Sequence, residues 1–354
     1  MVFFIMILLM IALTGADFAK PGEFNTDYLK KKNTTAINGL FVILVLFSHY
    51  AQYADFSGPY DIPYLVLRKH LKQMVVATFM FYSGYGMMEA IRTKGDVYIN
   101  KIPDKFWKLL LRFDIAVLLY LLLNAALGIR YPIERVLLAF TTWTAVGNSN
   151  WYITAVLILY IILYVSFKPC ISGGNYRNKR IWGIALTFAI TAVAIYIQIK
   201  IGRPDYCYNT MMILPLGCLY SELRGDIEKI IMRSDAAYLI VLTIVTGVYI
   251  VSFFHRESFG IAGYTFWGMA FIAMVLLVTM KLSVYNGFLE WTGIHVFGIY
   301  ILQRIPMSIL DQMGYIENHK YMSLVAAIVA SFAMAAVFQK YTDKLIRFIT
   351  ARRT

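Results

Sequence analysis

Apolar runs long enough to cross a lipid bilayer recur along almost the whole chain, each separated from the next by a short polar interval. They predict membrane-spanning helices near 36–53, 73–91, 107–128, 151–167, 182–199, 236–254, 260–281, 288–311 and 321–339. A shorter run near 211–222 is interrupted by Pro215 and Gly217. The opening run, Val2 to Leu13, is short for a span and lacks the basic flank of a signal peptide. It reads as a signal anchor, an interfacial helix or an extra helix whose start is missing. The expected fold class is all-α, a polytopic membrane helix bundle of about ten transmembrane helices plus this short N-terminal hydrophobic segment. The expected division is an N-terminal segment with a basic cytoplasmic loop over 1–34, a single membrane domain over 35–342 and a basic cytoplasmic tail over 343–354. In the interval 129–150, Ile133 to Trp143 is amphipathic, as a segment lying in the interface or re-entering it would be.

Composition agrees. The 354 residues are 60% hydrophobic and 15% charged, and the charged share falls well below the roughly 25% of soluble domains. A net charge of +13 invites a nucleic-acid reading, but the distribution of the cations argues against it. Assigning loops alternately to two sides puts 23 Lys and Arg on one side and 9 on the other, with Arg304 inside a span. This asymmetry predicts a cytoplasmic 20–35 segment and a cytoplasmic C-terminus. The excess charge then serves topology first and anionic lipid or anionic substrate second. Five of the six Trp (107, 143, 151, 182, 291) fall at predicted span ends, as an aromatic belt would. Cys170, Cys207 and Cys218 are odd in number and scattered, which suits neither a disulfide framework nor a metal site. Phosphate-loop, dinucleotide and paired-His zinc motifs are missing, and no internal repeat supports an inverted-repeat transporter.

Chemistry enters at His49. It lies in an otherwise apolar span, where an ionisable group is costly and marks a functional site by default. Asn38 stands eleven residues earlier, about 16 Å along the axis and roughly 20° past three whole turns. Thr35, Asn38, His49, Gln52 and Tyr53 thus share one side, a polar stripe suited to a long substrate. The structural alternative is a histidine that only bonds a neighbouring helix. Arg304, also within a span, is a candidate for lining a cavity. His295 reads as a structural hydrogen-bonding group, and His70, His255 and His319 fall in outer loops.

Four segments follow one another in order. They are Ile37-Asn38-Gly39 through Ser48-His49-Tyr50, then Phe79-Met80-Phe81-Tyr82-Ser83-Gly84-Tyr85-Gly86 with the basic stretch Lys101 to Arg112. Next come Asn148-Ser149-Asn150-Trp151-Tyr152 and Trp291-Thr292-Gly293-Ile294-His295 through Tyr300-Ile301-Leu302-Gln303. With Leu214-Pro215-Leu216-Gly217, this order resembles the acyltransferase family 3 membrane proteins over about residues 30–340. The resemblance implies an enzyme of a bacterial inner (plasma) membrane, an O-acyltransferase of the cell envelope. It would move an acyl group, usually acetyl, from cytoplasmic acyl-CoA to a hydroxyl of a polysaccharide or lipid-linked glycan. It implies membrane lipid, acyl-CoA and a glycan as partners, with no nucleic acid, no metal and no permanently bound cofactor. A positioned imidazole can take the proton of a poorly nucleophilic hydroxyl, so His49 is the catalytic candidate. Asn38, Ser83, Tyr85, Asn150, Trp151 and Arg304 are substrate-binding candidates. Lys101, Lys105, Lys108 and Arg112 are candidates for the CoA phosphates, although topology alone also places lysines there. The family usually carries a cation where this chain has Asn38, and often His where it has Gln303. The rival readings are a flippase for a lipid-linked sugar and a non-catalytic scaffold of envelope assembly.

Overall fold

The computed structural model describes residues 1–351, which are helical throughout most of their length. α1 is Val2–Leu13, α2 Lys31–Tyr50, α3 Ile62–Leu71, α4 Met74–Lys94, α5 Asp96–Ile99 and α6 Ile102–Ala126. α7 is Ile133–Ala139, α8 Trp151–Ile171, α9 Arg177–Lys200, α10 Ile213–Ile231, α11 Asp235–His255 and α12 Gly260–Lys281. α13 (Gly287–Ile294), α14 (Val296–Leu302), α15 (Arg304–Gln312), α16 (Tyr315–Asn318) and α17 (Lys320–Ala351) complete the order. Among the described residues the only sheet is a two-residue antiparallel pairing, Asp17 with Ser283 and Phe18 with Leu282. It fastens the segment after α1 to the link between α12 and α13.

Local chemistry sets the boundaries. Ser234 Oγ accepts from the Ala237 amide and caps α11, and Asn286 Oδ1 accepts from Leu289 to cap α13. Pro63 and Pro103 occupy the first turns of α3 and α6, where a missing N–H costs nothing. α17 runs through the start of the expected tail, and residues 352–354 lie outside the described residues.

Among the described residues seven helices are long and apolar enough to cross a membrane, and the pair Gly287–Ile294 and Val296–Gln312, bent by 63°, makes eight if it is taken as one span. Ten spans are not established by length and apolarity. The two expected spans that fall outside this set are α4 and α10, and the reason is their place in the bundle. They pack on each other so closely that a Cβ on Gly84 would lie 2.1 Å from the Leu214 carbonyl oxygen, and one on Gly217 2.3 Å from that of Phe81. α4 is buried along most of its length, from Met74 to Ile91. A helix enclosed by protein need not be apolar, and α4 and α10 carry Glu89, Arg92, Glu222 and Arg224. Glu222 is chelated by Arg180 at 2.6 and 3.2 Å, while Glu89 accepts from Arg92 and Ser221, each at 2.7 Å.

α1, at 12 residues, rises about 18 Å, short of the roughly 30 Å of hydrocarbon. Met1, just before it, meets Asp61, a buried carboxylate that also bonds Lys320 at 3.1 Å and Tyr321 at 2.8 Å. Burial opposes the Asp61 charge, but hydrogen bonds from the Met1 ammonium, Tyr321 and Lys320 outweigh it and hold its pKa down to about 2. Asp61 thereby joins α1, α3 and α17 at the end of the bundle where α2 terminates.

Candidate active site

α2 delivers His49 to a cavity of about 380 Å³ at that end of the bundle. Leu44, Val45, Ser48 and Gln52 line it from α2 and the turn after it, and Arg68, Lys72 and Gln73 come from the end of α3. Trp151, the first residue of α8, also lines it, with Asp205, Tyr264 and Tyr206, whose ring lies 6.3 Å from that of Trp151. The expected polar stripe is therefore partly helical and partly not. α2 stops at Tyr50, and Gln52 and Tyr53 reach the same side through a turn in which their amides bond the His49 and Tyr50 carbonyls.

His49 is held from behind. Gln303, fully buried where α14 breaks into α15, places its side-chain nitrogen 2.7 Å from His49 Nδ1 and 3.0 Å from the Tyr300 carbonyl oxygen. A carbonyl oxygen only accepts, so the Gln303 atom at this position is the NH₂ nitrogen. His49 Nδ1 therefore accepts, and the neutral ring carries its proton on Nε2, the nitrogen left for the cavity. Gln303 Oε1 is buried with no partner, as is the Tyr300 hydroxyl. The Tyr300 ring lies 6.0 Å from His49 and 5.6 Å from Tyr152. Ser83, half-buried on α4, lies near the Tyr152 hydroxyl.

The other sequence candidates separate. Asn38 sits toward the opposite end of α2, its Oδ1 buried and unpartnered. Tyr85 lies apart from His49, its hydroxyl bonded by Arg224 at 2.8 Å, and Arg224 also engages Glu228 and the Thr26 carbonyl. Asn150 braces its own loop by donating to the Thr142 carbonyl at 2.7 Å. Arg304 begins α15 and bonds Ser149 at 2.9 Å, Gln52 at 2.6 Å and Tyr53 at 3.4 Å, so it clamps the cavity wall through Gln52. Of the basic quartet, Lys108 pairs with Asp104 at 2.6 Å, Arg112 with Asp343, and Lys105 donates to Tyr98 at 2.8 Å. Lys101 is exposed. Only Trp151 of the substrate-binding candidates lines the His49 cavity itself. His295 bonds the Trp291 carbonyl at 2.8 Å and stacks on that ring, the structural role expected of it.

Sequence reasoning missed Arg68, Lys72 and the positioning part of Gln303. A signal for the first two was present: on the cation-poor side Arg68, Lys69 and Lys72 fall within five positions.

The tautomer is open to direct test. Nitrogen NMR of ¹⁵N-histidine protein, with His49→Ala to assign the signal, should show an unprotonated Nδ1 and a protonated Nε2. Gln303→Glu, which can only accept while ionised, should move the proton to Nδ1. A proton already on Nδ1 in the unsubstituted protein would contradict the arrangement.

A family model described as an acyltransferase domain matches residues 35–339. It is the family that the ordered motifs resemble, and the match runs from the start of α2 to Gln339, partway along α17. No curated protein and no solved structure matches the chain.

Proposed function

The chain belongs to this membrane acyltransferase family, and we propose that it moves an acyl group, most simply acetyl, from acyl-CoA to a sugar hydroxyl of a surface polysaccharide or lipid-linked glycan. Family membership makes it an integral membrane enzyme rather than a flippase or a scaffold. The observation that carries the finer reading is one helix with polar groups at both ends: His49 at a cavity and Asn38 toward the Lys- and Arg-rich face. Acyl-CoA is drawn from that face, and the glycan occupies the cavity. The positive-inside rule makes the rich face, with the C-terminus, cytoplasmic, and a bacterial inner membrane is the setting the family suggests.

In the proposed reaction the sugar oxygen attacks the thioester carbonyl carbon, the new C–O bond forms and the C–S bond breaks. The hydroxyl proton passes to His49 and the CoA sulfur leaves as thiolate. His49 must then offer Nε2 as a lone pair, which needs the proton on Nδ1. In that state the Gln303 NH₂ can no longer donate to Nδ1 and keeps only the Tyr300 carbonyl, so the reactive tautomer forms by proton exchange with the cavity and a shift of the ring away from Gln303. Asn38 stands where the family usually has a cation, and its amide supplies a hydrogen bond without charge. Donor phosphates then fall to the Lys30–Lys32 and Lys101–Arg112 segments. Mass spectrometry of surface glycans from cells with and without the chain tests the reading: ester-linked acyl groups should disappear with it, and an unchanged acylation pattern would refute it.

A further inference from the structure

The His49 cavity has an unbalanced wall. Arg68, in the last turn of α3, and Lys72, which follows its last residue, both line it. Arg68 bonds only Ser48, at 3.4 Å to its hydroxyl and 3.3 Å to its carbonyl oxygen, both long and both to a neutral residue. Among the described residues the Lys72 ammonium has no hydrogen-bond or ion-pair partner, and no carboxylate pairs with either cation. The cavity's single acid, Asp205, is turned to its own loop, accepting from the Tyr206 amide at 2.7 Å and Asn209 at 3.3 Å. Arg304 adds a third positive charge behind Gln52. Elsewhere at this end Lys320 pairs with Asp61 and Arg256 with Glu257.

Lys72 also sits in a backbone conformation with φ of 30°, a region that favours glycine, where it ends α3 by bonding the Arg68 carbonyl. Strain of this kind persists where the surrounding structure holds it, and it is concentrated at ligand sites. Here it fixes a lysine at the cavity beside the imidazole.

We infer that the acyl acceptor is anionic: a carboxylate or phosphate on the sugar seats on Arg68 and Lys72 while the neighbouring hydroxyl meets His49. This rests on the acyl-transfer reading and narrows its substrate class. Arg68 can grip such a group through two parallel N–H bonds, with Lys72 as a movable point charge. A phospholipid headgroup offers the same oxyanion chemistry, so the test is run in neutral phosphatidylcholine nanodiscs, with phosphatidylglycerol discs as the second arm.

Purified full-length protein is supplied with acetyl-CoA and, separately, methyl glucoside, methyl glucuronide and glucose 6-phosphate. Binding is followed independently of turnover through Trp151 fluorescence, with Trp151→Phe as the blank. The charged sugars should bind and be acetylated with kcat/KM at least about tenfold above the glucoside. Arg68→Gln with Lys72→Gln should erase that advantage mainly by raising KM, the mark of lost ground-state binding. Equal use of the glucoside, a preference that survives the double substitution, or no binding of either charged sugar would overturn the inference. So would a phosphatidylglycerol arm in which the lipid competes with the sugars and the sugars alone show no preference. Charged-sugar binding that depends on Arg68 and Lys72 without acetylation would uphold the anion site and refute the acyl-transfer reading instead.

Discussion

His49→Ala should lower kcat for acyl transfer by roughly 10²–10⁴-fold, the range contributed by a positioned general base. The imidazole lines the cavity, and its hydrogen bond is to a Gln303 amide that keeps a second partner, the Tyr300 carbonyl, when the ring is gone. Little of the bundle depends on it, so the variant should insert, purify and elute as the parent does. Acceptor binding should persist, because Arg68, Lys72 and Trp151 remain on the wall. The loss should therefore fall on kcat with KM nearly unchanged. Near-normal turnover in a steady-state assay of the purified variant would remove His49 from the chemistry.

The second large effect concerns stability, and it sets two neighbouring glycines apart. A Cβ on Gly84 would meet the Leu214 carbonyl oxygen at 2.1 Å, whereas one on Gly86 would meet nothing within 4 Å. Gly293 repeats the first case, with the Thr35 carbonyl oxygen at 1.9 Å, and Gly39 would strike that of Leu289 at 2.0 Å. These obstacles are backbone atoms, so no rotamer change relieves them and the helices must part. Overpacking typically costs about 1–3 kcal/mol, and backbone clashes of this depth belong at or above the upper end. Gly84→Ala and Gly293→Ala should each lower the melting temperature in detergent by many degrees. Gly86→Ala should be neutral or slightly stabilising, since alanine is the better helix former by about 1 kcal/mol. Equal melting temperatures for Gly84→Ala and Gly86→Ala would show that α4 and α10 are not packed as described. In membranes, where helices gain little from hydrophobic burial against each other, such close approach is a principal source of association.

Much of this was legible in the chain. Apolar runs located the helices because a bilayer demands length and apolarity together. They located α4 and α10 too, although enclosure by other helices lets these two carry charged groups and leaves them outside the set long and apolar enough to span. His49 was legible as an ionisable group in an apolar run, and Trp151 as a residue at a helix mouth. Tyr85 and Asn150 were not, because their motif positions say nothing about which partner, Arg224 or Thr142, takes the polar atom. Gly84 and Gly86 looked alike in Ser83-Gly84-Tyr85-Gly86, yet two residues on a helix point about 200° apart and only one faces α10. Gln303 was visible as a departure from the family pattern. Its role needed the bend of the α13–α15 segment, which brings it to a residue 254 positions away.

Sided acyl transfer is the most direct test of the whole reading. Protein reconstituted in one orientation would be given radiolabelled acetyl-CoA on one side of the vesicle and the glycan acceptor on the other. Label should reach the acceptor only when acetyl-CoA faces the side bearing Lys101 to Arg112 and the C-terminus, and His49→Ala should abolish the transfer. Label that crosses equally from either face, or that is indifferent to His49→Ala, would contradict it.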